Sequence, residues 1–312
     1  MERKLLENKS IIVDSGAHTL YTQKSINISY GKNYDFYKSK DFWDYVDKYA
    51  KFLVENKKVI DFYVNVDVIF NPELSWKVQK YLEEKYKLTP MPVIHYGTSI
   101  EWLEKYMKNY EYIGIGGLGQ MVRREEYTIW ADSIFNFICN NSNRIPKIKT
   151  HGFAMTSIPL MIRYPWYSVD STTWLKFAGF GNIPIPQRKN NQWIYDKSPL
   201  IINFSISSPI ENLHFNALYP KQQENVLKYI KEQGFILGNS EIKNVDKNYK
   251  LKENERWVNA KKNQIEIIKE QGIINCYRQR RNFCIKYFLQ LQDRISTYPR
   301  TFKIKRKGFS QL

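Results

Sequence analysis

The feature that most constrains this chain is an alternation of two kinds of segment. Short apolar runs, each closed by a polar residue or glycine, are separated by longer stretches with a helical period. Ile11, Ile12 and Val13 form the first run and stop at Asp14-Ser15-Gly16. Apolar or aromatic residues then fall at 42, 43, 45, 46, 49, 50, 52 and 53, which is the spacing of one helix face. The run 59–68 contains Asn65 and Asp67, and Pro72 predicts the first turn of a helix to 86, a position where its missing N–H costs nothing. Pro92-Val93-Ile94 leads to His95, and Ser99 is placed to cap a helix to 107. Tyr112-Ile113-Gly114-Ile115 ends at Gly116-Gly117, with a helix expected over 125–139. Residues 147–150 end at His151-Gly152, a short helix covers 158–163, and Tyr167-Ser168-Val169 ends at Asp170-Ser171.

Six strand–helix units in a row imply parallel pairing with helical crossovers. Further apolar runs at 183–185 and 200–206 supply the remaining strands. The expected fold is α/β: a (β/α)8 TIM barrel over residues 1–250, followed by a basic helical C-terminal extension over 251–312. An open doubly wound sheet is the rival. The barrel is preferred because the strands' carboxyl ends would gather Asp14, Asp67, His95, Gly116, Gly117, His151 and Asp170 around one pocket, where barrel enzymes keep their chemistry. Singly, each has an ordinary structural explanation: Asp-Ser-Gly makes turns, and paired glycines permit tight backbone. Together they form a set of five acid/base side chains and a glycine pair at matching positions.

The chain carries 48 Lys and Arg against 31 Asp and Glu over 312 residues, a net charge of +17. Such an excess suits a polyanion, although abundant Lys, Asn, Ile and Tyr also follow from A/T-rich codons. Position sharpens the point: 18 basic and 6 acidic residues lie between Lys243 and Lys307, a net +12. Within that stretch, helices are expected over 255–269 and 274–295, the second carrying Arg278, Arg280 and Arg281 beside Phe283, Tyr287 and Phe288. A Pro-punctuated basic loop over 183–191 offers Arg188 and Lys189, and a basic tail begins at Arg300. A helix over 221–233 is closed by Gly234. Cys139, Cys276 and Cys284 are too few and too scattered for a disulfide framework. No leader is expected, and no apolar run reaches the roughly 20 residues that span a bilayer. These readings favour a reducing, cytoplasmic setting and no membrane association.

Three motifs, Asp14-Ser15-Gly16-Ala17, Ile115-Gly116-Gly117-Leu118 and Val169-Asp170-Ser171, occur in an order that resembles the tRNA-guanine transglycosylase superfamily. The similarity covers roughly residues 10–180. It implies an enzyme that exchanges guanine in a nucleic acid for a 7-deazaguanine such as preQ0, through a covalent aspartyl–sugar intermediate. It also implies roles: Asp170 as nucleophile, Asp14 as general acid/base, and Asp67 as the carboxylate that reads the guanine edge. Gly116 and Gly117 would bring backbone N–H groups to the base carbonyl. His95 stands where the family has a glutamine on the base, and His151 aligns with a pocket wall. Elementary chemistry agrees, since breaking a glycosidic bond with retention needs one ionised carboxylate and one able to trade a proton. The reaction needs no metal or other cofactor, and the target nucleotide must leave its stack.

Departures from the family pattern steer the substrate. The zinc motif of the tRNA enzymes, three close cysteines and a later histidine, is absent, and Ala17-His18 replaces the usual Gly-aromatic. The resemblance therefore points to the DNA-directed 7-deazaguanine transglycosylases of bacteria and phages, acting in a bacterial or phage-infected cell. The basic C-terminal helices would hold the DNA backbone, and a protein partner that opens the duplex would present the nucleotide. The alternatives are the same exchange on tRNA, a metal-dependent barrel hydrolase using Asp14, Asp67, His95, His151 and Asp170 as ligands, and an inactive nucleic-acid-binding subunit.

Overall fold

The computed structural model describes residues 10–25, 35–117, 123–155, 157–206, 213–258, 262–295 and 297–303. Leu118 and the tail beyond 303 lie outside the described residues. The chain divides into two compact units. The first draws on Met1–Met155, Arg163–Asp170 and Tyr298–Leu312, the second on Thr156–Ile162 and Ser171–Thr297.

The first unit is built on parallel strands in sequence order. β1 (Ile12–Val13) pairs with β2 (Phe62–Tyr63), and Val64 makes a parallel bridge to Met91. β3 (Val93–Ile94), β4 (Tyr112–Ile115), β5 (Lys149–Gly152) and β6 (Ser168–Val169) then form one parallel sheet. The intervening helices are α1 (Ala17–Ser25), α2 (Lys40–Glu55), α3 (Pro72–Tyr86), α4 (Ile100–Asn109), α5 (Arg124–Ile138) and α6 (Ile158–Arg163), most of which groups with the second unit. Their ends follow local chemistry. Ser39 Oγ accepts from Phe42 N at 3.3 Å to start α2, and Asn71 Oδ1 accepts from Leu74 N at 2.9 Å to start α3. Ser99 precedes α4 but makes no side-chain cap bond; its hydroxyl serves Glu101 instead. α2 buries Phe42, Val46, Ala50 and Leu53, one helix face, against Val78 and Leu82 of α3 and against Val66 and Val68. Full burial of one such Val or Leu is worth about 1.5–3 kcal/mol, so this face fixes where the strand ends point.

A closed eight-stranded parallel barrel is not formed among the described residues. After α7 (Thr173–Gly179), β7 (Asn182–Ile185) pairs antiparallel with β10 (Leu200–Asn203). The reason lies in the connection. Between them runs a hairpin of β8 (Gln187–Lys189) and β9 (Gln192–Ile194), and a hairpin returns the chain antiparallel, whereas parallel pairing needs a crossover of a dozen or more residues. The expected irregular loop over 183–191 is thus mostly strand. Asn190 and Asn191, with φ of 49° and 63°, make the two-residue turn that needs both residues left-handed.

The rest of the second unit corrects two more expectations. Residues 255–269 are not a helix: β12 (Glu255–Trp257) and β13 (Gln264–Glu270) join β11 (Asn239–Asn244) in an antiparallel sheet ordered β11-β13-β12. Ile265, Ile267 and Ile268 are β-branched and pack well on a pleated surface. Nor does a boundary at 250 separate an extension, because 251–297 belong to the same unit as 171–250. They share its core: α8 (Pro220–Glu232) and α9 (Tyr277–Arg294) contribute Val226, Tyr229, Ile230, Phe283 and Cys284, which cluster with Ile183, Ile185 and Ile202. The start of the basic tail is also packed. Phe302 is buried in the first unit, with its N–H on Arg144 O at 2.8 Å, and Arg300 donates to Tyr164 O.

Candidate active site

Every family-implied catalytic and base-binding residue falls in the first unit, at or near the carboxyl ends of its parallel strands. Asp14 follows β1. The backbone N–H groups of Ser15 and Gly16 donate to its carboxylate. Gly16 takes φ +73°, and an added Cβ would sit 2.8 Å from Tyr45 Oη, which donates to Ser15 O at 2.5 Å. Tyr49 Oη donates to Val64 O at 2.8 Å and lies 3.3 Å from Val13 O, tying the ends of β1 and β2 together.

Asp14 is open to solvent, yet its pKa is raised. Desolvation is the largest cause, followed among the raising causes by the charge of Asp67 and then that of Asp170, against the two N–H donors. Three carboxylates from β1, β2 and β6 therefore share one electrostatic neighbourhood, and one of them is biased to hold a proton.

Asp67 lies beyond β2 and is only 5% exposed. Its Oδ2 is 2.5 Å from His95 Nε2. His95 follows β3, and its backbone N–H donates to Thr98 Oγ1 at 3.1 Å. Its ring lies against Gly116, where an added Cβ would meet Nδ1 at 3.0 Å. The expected role of the glycine pair needs adjusting. Gly116 N–H is already given to Ile94 O at 2.8 Å, so it is not available to a base. Gly117 N–H has no acceptor among the described residues. Gly117 adopts φ +102°, and a Cβ there would come within 2.6 Å of Tyr96 N, so only glycine fits.

Asp170 follows β6 with a side chain 57% exposed. Its Oδ1 accepts from Ala154 N at 2.8 Å, and its backbone carbonyl accepts from Met155 N at 2.8 Å. His151 is not at a strand end but inside β5, level with Gly114 and Ser168 across the sheet. It is buried, with Nε2 3.4 Å from Asp170 Oδ1 and Nδ1 2.5 Å from Ser168 Oγ. It is buried beside the Asp170 carboxylate. Ser168 and its partner Tyr112 escaped sequence reasoning. One signal was there: Ser168 precedes Asp170 by two residues, and alternate strand residues share a face.

The predicted phosphate-binding residues lie in the second unit and separate by environment. Arg278 and Lys189 are exposed. Arg188 is partly buried, bonded to Asn225 Oδ1 at 2.6 Å and Asn191 Oδ1 at 3.1 Å. Arg281 is partly buried as well, and its Nε has no partner. Arg280 cannot serve a phosphate: it is 7% exposed, and its guanidinium donates to the carbonyls of Ala178 and Ile273 at 2.9 Å each and Ile274 at 3.3 Å. Its helical spacing explains this, since Arg280 shares its face with buried Phe283, Cys284 and Tyr287.

Among the described residues no group of three His, Cys, Asp or Glu is placed to hold a metal ion, so the hydrolase alternative has no ligand set there. The three cysteines are free, and burial pushes the Cys139 thiol up to about 11 and the Cys284 thiol up to about 12. Among the described residues no helix is long and apolar enough to cross a membrane. Comparison of the chain with protein-family models, curated proteins and solved structures finds no match.

Proposed function

We propose that the protein is a guanine base-exchange transglycosylase acting on DNA, replacing guanine by a 7-deazaguanine such as preQ0. The observation that carries this reading is the shared field of Asp14, Asp67 and Asp170 at the carboxyl ends of parallel strands, joined to the ordered motifs that supply them. The six parallel strands offer the same end-on gathering of residues that a complete barrel would.

In this reading Asp170 Oδ2 attacks C1′ of an unstacked deoxyguanosine, and the C1′–N9 bond breaks. Asp14, biased toward its protonated form, gives its proton to the departing base. The incoming 7-deazaguanine loses its N9 proton to Asp14 and attacks C1′, releasing Asp170. The Asp67–His95 pair and Gly117 N–H are the groups that recognise the base. Two carboxyl groups with different environments are what such a double displacement needs. Exposed Arg278 and Lys189 of the second unit supply phosphate contacts.

The test is release of labelled guanine from DNA and, in parallel, from tRNA, with preQ0 as incoming base. Release from DNA alone is expected. Release from tRNA alone would move the assignment to the tRNA enzymes, and release from neither would end it.

A further inference from the structure

A chain of side chains runs inward from Asp170. His151 Nε2 is 3.4 Å from Asp170 Oδ1, His151 Nδ1 is 2.5 Å from Ser168 Oγ, and Ser168 Oγ is 2.5 Å from Tyr112 Oη. It ends at Tyr112, which is buried against Phe62 and Tyr167. A chain that stops inside the protein cannot carry protons to solvent, so its effect is to orient. The imidazole is also held edge-to-face by Phe153, at 4.5 Å between ring centres. Phe153 fits because position 114 is glycine: a Cβ there would lie 2.4 Å from Phe153 Cε2.

The direction of the bonds follows from what each group can give. The Tyr112 pKa is pushed up to about 12, mainly by burial, so its hydroxyl keeps its proton. Both hydroxyls can give or accept, so the outer end decides: the Asp170 carboxylate only accepts, which puts the imidazole proton on Nε2 and leaves Nδ1 to accept from Ser168 and Ser168 to accept from Tyr112. This arrangement satisfies every group without a charged, buried imidazole.

We propose that His151, oriented through Ser168 by Tyr112, is a positioning residue for the Asp170 carboxylate. The Ala154 N–H donates to Oδ1, and the His151 Nε2–H faces the same oxygen from 3.4 Å. That leaves Oδ2, which has no partner among the described residues, as the reacting oxygen. The 3.4 Å separation is longer than a formed hydrogen bond, and its shortening on substrate binding is part of the proposal. The catalytic meaning rests on reading Asp170 as the nucleophile; the tautomer does not.

Nitrogen-15 correlation spectra of the histidines in the full chain separate the two. With four histidines in the sequence, the His151 signals are those missing from His151→Gln. The Nε2–H tautomer is expected in the wild type, with a mixed tautomer in Ser168→Ala and a smaller shift in Tyr112→Phe. An Nδ1–H tautomer, or spectra indifferent to Ser168→Ala, would overturn the proposal. Exchange kinetics give the second arm. His151→Ala should slow formation of the covalent intermediate about a hundredfold, the scale of a misplaced reacting group, with KM for the incoming base unchanged. His151→Gln, which can still present an N–H, should recover part of it. A His151→Ala protein as fast as wild type would also overturn the proposal. Absence of exchange in the wild type, with the tautomer as expected, would count against the transglycosylase reading and not against the tether.

Discussion

His95 Nε2 lies 2.5 Å from Asp67 Oδ2, with the imidazole 13% and the carboxylate 6% exposed. The Asp67 carboxylate is therefore half of a pair, one of its oxygens already committed. Under the proposed function a guanine edge meets the pair rather than Asp67 alone, so either partner by itself is expected to be a poorer reader.

The pair also sets a stability prediction. Removing His95 leaves Asp67 buried without that partner, at a cost of about 1–3 kcal/mol for the unsatisfied group. His95→Ala should show a lower urea midpoint than wild type, while Asp67→Asn, which keeps an oxygen for His95, should lose less. Equal midpoints for all three proteins would show that the contact does not stabilise the fold.

Asp14 couples stability to pH in a defined direction. Its folded-state pKa is raised above the ordinary value of 3.8, chiefly by desolvation. The folded state then binds more protons than the unfolded chain as pH rises past 3.8, so this residue makes stability fall with rising pH up to its folded pKa. Asp14→Asn removes the liability. Its urea midpoint should exceed that of wild type at pH 7, and the difference should shrink as pH falls below 3.8. A gap that widens in acid would reverse the sign.

Gly117 is a glycine that its turn does not allow to be replaced. With φ +102° and a Cβ that would sit 2.6 Å from Tyr96 N, Gly117→Ala should destabilise by more than about 1 kcal/mol. It should also abolish base binding in equilibrium dialysis. Retained stability with retained binding would mean that the turn is not needed.

The basic helix α9 is predicted to divide its labour. Arg280→Met leaves three carbonyls without their donor and should cost about 1–3 kcal/mol while leaving the salt dependence of DNA binding alone. Arg278→Ala should do the opposite, with an unchanged urea midpoint and a salt slope reduced by about 0.9. A slope that changes only in Arg280→Met would move the phosphate contact onto the buried residue.

Sequence reading succeeded where local chemistry decides. Pro72 marked the start of α3, and residues 158–163 were read as the helix they form. It also placed Asp14, Asp67, His95 and Asp170 just after short strands, where the structure has them, because short runs ending on polar residues are visible without tertiary contacts. It failed where partners decide. Ile267 pairs across to Glu255 and Glu241, and those partners, more than the β-branched residues at 265, 267 and 268, decide for strand over an amphipathic helix. The antiparallel return of β10 onto β7 depended on a hairpin turn at Asn190-Asn191, which was read as loop. Ser168 carried one signal, its spacing from Asp170, but Tyr112 carried none, because their link runs through His151 on a third strand.

Capture of the covalent intermediate tests the central claim most directly. The protein is mixed with DNA, quenched in denaturant, and the complex is weighed by intact-mass spectrometry. Wild type should yield a protein–DNA adduct that disappears when preQ0 is added, and Asp170→Asn should yield none. An adduct of the same amount in Asp170→Asn, or base exchange by that variant at the wild-type rate, would contradict the account.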